Sequence, residues 1–298
     1  MRISVVTVCY NSAHFIRNAI ESVLAQTYPL VEYLLIDGGS EDGTVEIIRE
    51  FAPRFGARMR WVSERDEGMY DAINKGIRMA TGDVIGILNA DDFFADDRVV
   101  ERIADAFSIA KNTTNAKIDV VYGDVRFVKN CLSALVPDCL IEDGERAGIS
   151  TNELTNYRTN ELVSLRQATT LRYYSAKRWK PWMLQWGYMP PHPGVYIRRE
   201  LFERLGYYKM GYHIAADYEL LIRYLWKARL NCVYVPCSLV TMRMGGKSTK
   251  NWKSNLLLNQ EIVRANRENG NFCCLPMLVP KYIFKIWEFV GNGKRMTM

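Results

Sequence analysis

Apolar residues in the first third of the chain fall in short runs that alternate with amphipathic stretches. Ile3-Ser-Val-Val-Thr-Val8 is close to continuously apolar, the pattern of a strand covered on both faces. Either Asn11 or Ser12 can cap a helix, in which Phe15, Ile16, Ala19, Ile20, Val23 and Leu24 recur at helical spacing. Tyr33-Leu-Leu-Ile36 predicts a second strand. It is closed by the turn cluster Asp37-Gly-Gly-Ser-Glu-Asp-Gly43, and a helix follows through Glu50. The alternation continues with a strand over Met59–Val62, a helix over Tyr70–Met79, a strand over Val84–Leu88, an amphipathic helix over Arg98–Ala110 and a strand over Asp119–Tyr122. Such order over roughly 125 residues predicts an α/β fold with a mostly parallel, Rossmann-like sheet flanked by helices.

Beyond this point the periodicity weakens. Residues 130–185 carry Arg166, Arg172, Lys177, Arg178 and Lys180 among Tyr173, Tyr174, Trp179 and Trp182, and read as a helical or irregular insert beside the site. A strand over Gly194–Ile197, helices over Arg199–Leu205 and Ala216–Lys227, and a last sheet strand over Cys232–Val235 follow. Residues 254–268 and Leu278–Val290 predict a helical C-terminal region, 251–298.

Composition narrows the classes. With 298 residues, 48% hydrophobic and 24% charged, the chain is neither disordered nor collagen-like. No apolar run approaches the ~20 residues of a membrane span, and the start does not read as a signal peptide, so a cytoplasmic protein is expected. The seven cysteines form no CxxC pair, which indicates neither a zinc site nor a disulfide framework. The net charge of +6 fits an anionic membrane surface or an acidic substrate. Nucleic acid is the least supported partner, because the basic residues are dispersed and no recognition motif is present.

Ligands of doubly wound sheets bind at the carboxyl ends of strands. Here those ends read Tyr10-Asn11, Asp37-Gly38, Ser63-Glu-Arg-Asp66 and Asn89-Ala-Asp-Asp92. A single acidic turn is ordinarily a solvated loop, but three at successive strand ends suggest a metal or a donor-bearing ligand. Asp91 directly follows an apolar strand, where a cation bridging phosphate oxygens would want a carboxylate; Asp92 reads equally as a cap of the next helix. Neither GxGxxG nor GxxxxGK[ST] occurs. Gly245-Gly-Lys-Ser248 is a loop that could reach a phosphate through Lys247.

Together these residues resemble the family 2 glycosyltransferases, inverting sugar-nucleotide enzymes of the GT-A fold. The resemblance covers roughly residues 1–250. It rests on Val8-Cys-Tyr-Asn11, Ile36–Thr44, Ser63–Gly76, Gly82-Asp83, Leu88-Asn-Ala-Asp-Asp92, Tyr122-Gly-Asp124, His192-Pro193 and Ala215-Ala-Asp217. It implies a catalytic domain over 1–250, with a nucleotide-sugar half, 1–125, and an acceptor half, 126–250. It also implies that Val8, Tyr10, Asp37, Asp66, Asn74, Asn89, Ala90 and His192 line the donor site. Tyr10 would pack near the base, and Asp37 would accept a hydrogen bond from base or ribose. Asp91 corresponds to the metal-binding acid of the DxD motif, for Mn2+ or Mg2+, and Asp217 to the catalytic base. Two departures stand out: Asp37 is followed by Gly38 where the family often has paired acids, and Asn89 replaces the first acid of the DxD.

The implied reaction is transfer from a nucleotide-sugar donor, UDP-linked, to a hydroxyl of a glycan or lipid-linked acceptor in cell-envelope polysaccharide synthesis. Asp217 would remove the acceptor proton in a single inverting displacement. Outside the resemblance, Asp217 reads as a helix N-cap, Glu219 is its nearest competitor, and His192 between two prolines reads as a structural residue; His14 and His213 read as surface or packing residues. Two other readings remain in play. A nucleotidyltransferase would want a glycine-rich basic loop after the first strand, and a non-catalytic sugar-nucleotide-binding or membrane-docking protein would be indifferent to Asp217. Residues 277–295, with Lys281, Lys285, Trp287, Lys294 and Arg295, form a candidate contact with the inner-membrane surface on its cytoplasmic face, or pack on protein. Oligomeric state is left open by the sequence.

Overall fold

The computed structural model describes residues 1–113, 117–128, 162, 166, 168–244 and 252–281. One nine-stranded sheet organises them. Its first part is parallel: β1 (Ile3–Cys9) lies between β2 (Val31–Asp37) and β4 (Val84–Ile87), with β3 (Met59–Ser63) beyond β2. Helices α1 (Ile16–Leu24), α2 (Thr44–Phe55) and α3 (Met69–Met79) make the crossovers. Every residue of β1 and β2 is buried, which is why both strands are nearly continuously apolar. Their polar exceptions have internal partners. Ser4 Oγ donates to Glu32 Oε2 at 2.5 Å, and Tyr33 Oη donates to Thr7 Oγ1 at 3.2 Å.

After β4 the sheet changes character. The remaining elements are β5 (Phe93–Phe94), α4 (Val99–Thr113), β6 (Val120–Val128), β7 (Thr170–Tyr174), β8 (Val195–Arg198), α5 (Glu200–Leu205), α6 (Ala216–Leu221), β9 (Cys232–Arg243) and α7 (Trp252–Glu268). Strand β8 runs antiparallel to both β4 and β6, β9 pairs parallel with β6, and β5 and β7 add antiparallel edges. Side-chain alternation separates two cores. Ile3, Val5, Tyr33 and Leu35 pack with α1, α2 and α4, whereas Val6, Val8, Leu34 and Ile36 pack with α3, α5, α6 and α7. At Gly76 of α3 an added Cβ would fall 2.4 Å from Val6, so the glycine sets how closely that helix approaches β1.

Several expectations are corrected. Helix α1 begins at Ile16, and neither Asn11 nor Ser12 caps it with a side chain; the amides of Phe15 and Ile16 bond to Ser12 O instead. The supposedly irregular insert contains β7, whose largely exposed residues leave no alternating pattern to read. Strand β9 continues eight residues past Val235, to Arg243. Pro236 and Cys237 are accommodated by a bulge, since Gly123 pairs with Val235 and Asp124 with Ser238. The helix expected over Ala216–Lys227 is α6 followed by a π-helical turn, Ile222–Lys227, and ends at Arg229 with φ of 51°. A 3-10 turn, Leu275–Leu278, opens the last expected helix. Residues 282–298, most of the insert, Cys131, Cys139 and the Gly245–Ser248 loop lie outside the described residues.

Candidate functional site

Register alone gathers the motifs. Cys9 pairs with Asp37 and Asp37 with Ser63, so three strand ends lie in a row. The amide of Leu88 bonds to Val6 O at 2.9 Å, setting Asn89–Asp92 just past that row. Because β8 opposes β4, with Gly86 against Tyr196, the turn His192–Gly194 that enters β8 arrives at the same edge.

On the β1–β2 side the loops are laced together. Asn11, with φ of 47°, donates its amide to Ser40 Oγ (2.7 Å) and accepts the Glu41 amide on Oδ1 (3.0 Å). Ser12 donates its amide to Thr44 Oγ1 (2.8 Å), and Ala13 donates its amide to Asp42 Oδ2 (3.0 Å). Asp37 is the knot. It is 0% exposed and accepts from the amides of Gly39 and Ser40, the hydroxyls of Ser40 and Ser63, and Cys9 Sγ. Burial alone would push its pKa up, but the Ser40 and Ser63 bonds outweigh burial and hold it below the ordinary carboxylate value. In this structure both Asp37 oxygens are engaged by protein donors, so the residue shapes the loop at the site of its expected base or ribose contact.

Tyr10 is 62% exposed, and its ring lies beside Gly38. An added Cβ at Gly38 would fall 2.6 Å from Asp66 Oδ2 and 3.4 Å from the Tyr10 ring, so the missing side chain leaves room for both residues there. Asp66 Oδ1 accepts the Gly68 amide, and Oδ2 is the oxygen next to Gly38. Val8 is buried near the end of β1, and Ala90 just past β4. Asn74 is buried away from solvent and clamps Tyr208, accepting its amide at 2.9 Å and donating to its carbonyl at 2.8 Å.

At the end of β4, Asn89 Nδ2 donates to Asp92 Oδ2 (2.9 Å). Asp92 is 2% exposed; burial and the neighbouring Asp91 charge push its pKa well up, against the Asn89 bond and the Arg243 charge. Asp92 is no helix cap, since α4 starts at Val99 and Gln26 Oε1 takes the Val100 amide. Asp91 is the partly exposed carboxylate of the pair. Among the described residues no group of three or more His, Cys, Asp and Glu is gathered as a metal cage. One accessible carboxylate beside a buried one fits a divalent cation that takes its other ligands from phosphate oxygens and water.

The opposite side is an aromatic cage around Asp217. His192 meets Tyr208 Oη at 2.6 Å, edge-on to its ring, and Tyr208 stacks on Tyr70 at 5.9 Å. Burial lowers the His192 pKa, so the ring is held neutral despite the nearby Asp217 charge. Asp217 is the second residue of α6 and not its cap, which is Ala215; its Oδ1 takes the adjacent Tyr218 amide. Burial raises its pKa, and the His192 interaction only partly offsets this. Glu219 is fully buried, paired with Arg223 and Lys209 at 2.9 Å each, and has a lowered pKa: burial would raise it, but the Arg223 bond prevails. Those pairings separate the two acids cleanly. His213 and His14 lie exposed on the surface.

Sequence reasoning missed Tyr70, Tyr208 and Glu261, which act on this cage through tertiary contacts. It quoted Asp124 without a role. That carboxylate clamps β7, accepting from Tyr173 Oη (2.7 Å), Tyr234 Oη (2.8 Å) and the Ala176 amide (2.7 Å).

Residues 4–205 match the family model described as Glycosyl transferase family 2. The chain is 28% identical over 220 residues to a PGL/p-HBAD biosynthesis glycosyltransferase of Mycobacterium bovis (strain BCG / Pasteur 1173P2), covering 74% of this chain and 68% of the relative. It is 34% identical over 107 residues to an uncharacterized glycosyltransferase of Nostoc sp., covering 36% and 33%. Its fold matches S. aureus TarS 1-349, with TM-score 0.57, 12% identity and coverage of 100% of this chain and 73% of that one. It also matches the mannosyltransferase PcManGT from Pyrobaculum calidifontis, solved with GDP-Man and Mn2+, with TM-score 0.57, 18% identity and coverage of 98% and 73%. At those identities the likeness is one of fold, the GT-A fold.

Proposed function

The chain belongs to glycosyl transferase family 2 and is a sugar transferase; we propose that it takes the sugar from a UDP-linked donor and transfers it, with inversion, to a hydroxyl of a glycan or lipid-linked acceptor in cell-envelope polysaccharide synthesis. The observation that carries this reading is the convergence, at one sheet edge, of the Asn89–Asp92 segment that follows β4 with the His192–Gly194 turn that enters β8. Tyr10 and Asp66, both beside Gly38, receive the nucleoside, in a loop frame tied by Asp37. Asp91 would hold Mn2+ or Mg2+ together with the donor phosphates, and the cation would supply Lewis-acid stabilisation of the leaving diphosphate. That a neighbour of the same fold was solved with GDP-Man and Mn2+ supports this assignment.

Asp217 takes the acceptor proton. Its raised pKa gives the carboxylate more affinity for that proton, which suits a general base better than a well-solvated acid. His192, fixed by Tyr208, lines the same site, and burial that lowers its own pKa limits how far it pulls the Asp217 pKa down. The deciding experiment is a panel of UDP- and GDP-sugars assayed for transfer and hydrolysis with and without Mn2+. Turnover should need the metal and disappear in Asp91→Ala; metal-independent turnover surviving that substitution sinks the mechanism.

The lipid-linked acceptor and a position on the cytoplasmic face of the membrane have separate support. Trp182, Phe272, Leu275 and Val279 are exposed, Lys177, Arg178 and Lys180 are exposed beside Trp182, and Gln185 Nε2 bonds to Phe272 O at 2.9 Å, joining the two segments. Basic and aromatic residues together suit an anionic interface. Among the described residues no helix is long and apolar enough to cross a membrane. Flotation with anionic vesicles, lost on deleting residues 277–298, tests this contact.

A further inference from the structure

The segment that delivers Asp217 is held from outside the stretch that matches the family model, which ends at residue 205. Glu261, on α7 and 5% exposed, projects into the turn before α6. Its Oε1 accepts the amide of His213 (2.7 Å), and its Oε2 accepts those of Ile214 (2.9 Å) and Ala215 (2.8 Å). From the other side Tyr70 Oη donates to Ile214 O (2.6 Å) and accepts the Ala216 amide (3.3 Å). Every amide from His213 to Ala216 therefore has a side-chain partner on another element, and the next residue is Asp217.

Three converging amides on one buried carboxylate make a rigid joint, because each charge-assisted bond restrains a different peptide plane. Resting on the reading of Asp217 as the base, we propose that Glu261 is its positioning residue: the carboxylate of α7 fixes the 213–216 turn and so sets where the Asp217 carboxylate meets the acceptor hydroxyl. Its charge also faces Asp217 and strengthens proton uptake there. The other groups facing Asp217 are Tyr70 from α3, Tyr208 from the 206–212 loop and His192 from the turn before β8. The C-terminal helix is thus a working part of the site.

The test compares Glu261→Gln and Glu261→Asp with the full-length wild type. The Asp217 carboxyl is followed by 13C NMR, its signal identified as the one missing in Asp217→Asn. In Glu261→Gln the Asp217 titration midpoint and the acid limb of turnover should both move to lower pH. The kcat on whichever panel donor turns over should fall about ten- to a hundredfold, with the donor KM unchanged. Glu261→Asp, which keeps the charge on a shorter stem, should lower kcat while leaving the titration in place; it carries the test if Glu261→Gln does not fold. Wild-type kcat in the folded variants, or a fall in kcat accompanied by an equal rise in donor KM, overturns the proposal. Full turnover in Asp217→Asn overturns instead the assignment of the base, and the NMR titration, which needs no turnover, still reports on Glu261 alone.

Discussion

Asp37 is fully buried and Asp217 partly exposed, yet it is the pKa of Asp37 that falls and that of Asp217 that rises. In the β1–β3 half, Asp37 is ringed by donors from two adjacent loops, and its charge holds the framework together. In the β8–α6 half, Asp217 lies near Tyr70, Tyr208 and His192 and takes backbone amides, of Tyr218 and of its own residue, so desolvation prevails. Desolvation pushes both pKa values up; the supply of hydrogen-bond donors decides which carboxylate is held as an anion and which gains proton affinity. Asp92 follows the second pattern within the first half, for it has one amide donor and a like charge beside it.

The sharpest way to break this contrast is to remove the unsatisfied carboxylate. Asp217→Asn should lower kcat by about 10²–10⁴ while leaving the urea midpoint and UDP binding near wild type. In the wild type, protonation of Asp217 abolishes its action as a base. Turnover should therefore fall as pH drops through a midpoint above the ordinary Asp value of about 3.9, measured as the acid limb of kcat/KM.

Removing the satisfied carboxylate should do the reverse. Asp37→Ala strands the donors of Gly39, Ser40 and Ser63 and should cost about 3–5 kcal/mol in urea unfolding, with any loss of turnover following from lost folded protein. A stable Asp37→Ala protein defective only in donor binding would mean that Asp37 touches the ligand after all. A smaller effect is expected at the exposed end of the same loops. Tyr10→Ala should weaken UDP binding about tenfold by calorimetry with no change in stability, since the ring packs little protein. Smallest of all, Gly38→Ala should raise the donor KM a few-fold by pushing Asp66 aside, with kcat retained.

Much of the first half was legible because its signals are local. β1 and β2 are buried along their whole length, so their strands read directly from apolar runs, and the strand ends carry their motifs in sequence. The second half gave weaker signals for identifiable reasons. β7 is an exposed edge strand, β5 has only two residues, and β9 continues through Pro236 by way of a bulge. The family resemblance pointed to Asp217 and His192 while their neighbours carried no pattern. Tyr208 and Glu261 look like ordinary residues until the chain folds, and Asn74, quoted as part of a motif, serves through Tyr208.

The order of apolar runs, turn clusters and acids determined the α/β class and placed acids at the carboxyl ends of the strands, since each depends on residues within a few positions of one another. Tertiary structure alone decided what each acid does. Whether a carboxylate is surrounded by donors or by rings depends on residues brought from distant segments, as Ser63 is to Asp37, and Tyr70 and Glu261 are to the turn before Asp217. Local pattern cannot encode that neighbourhood, and the neighbourhood sets the proton affinity.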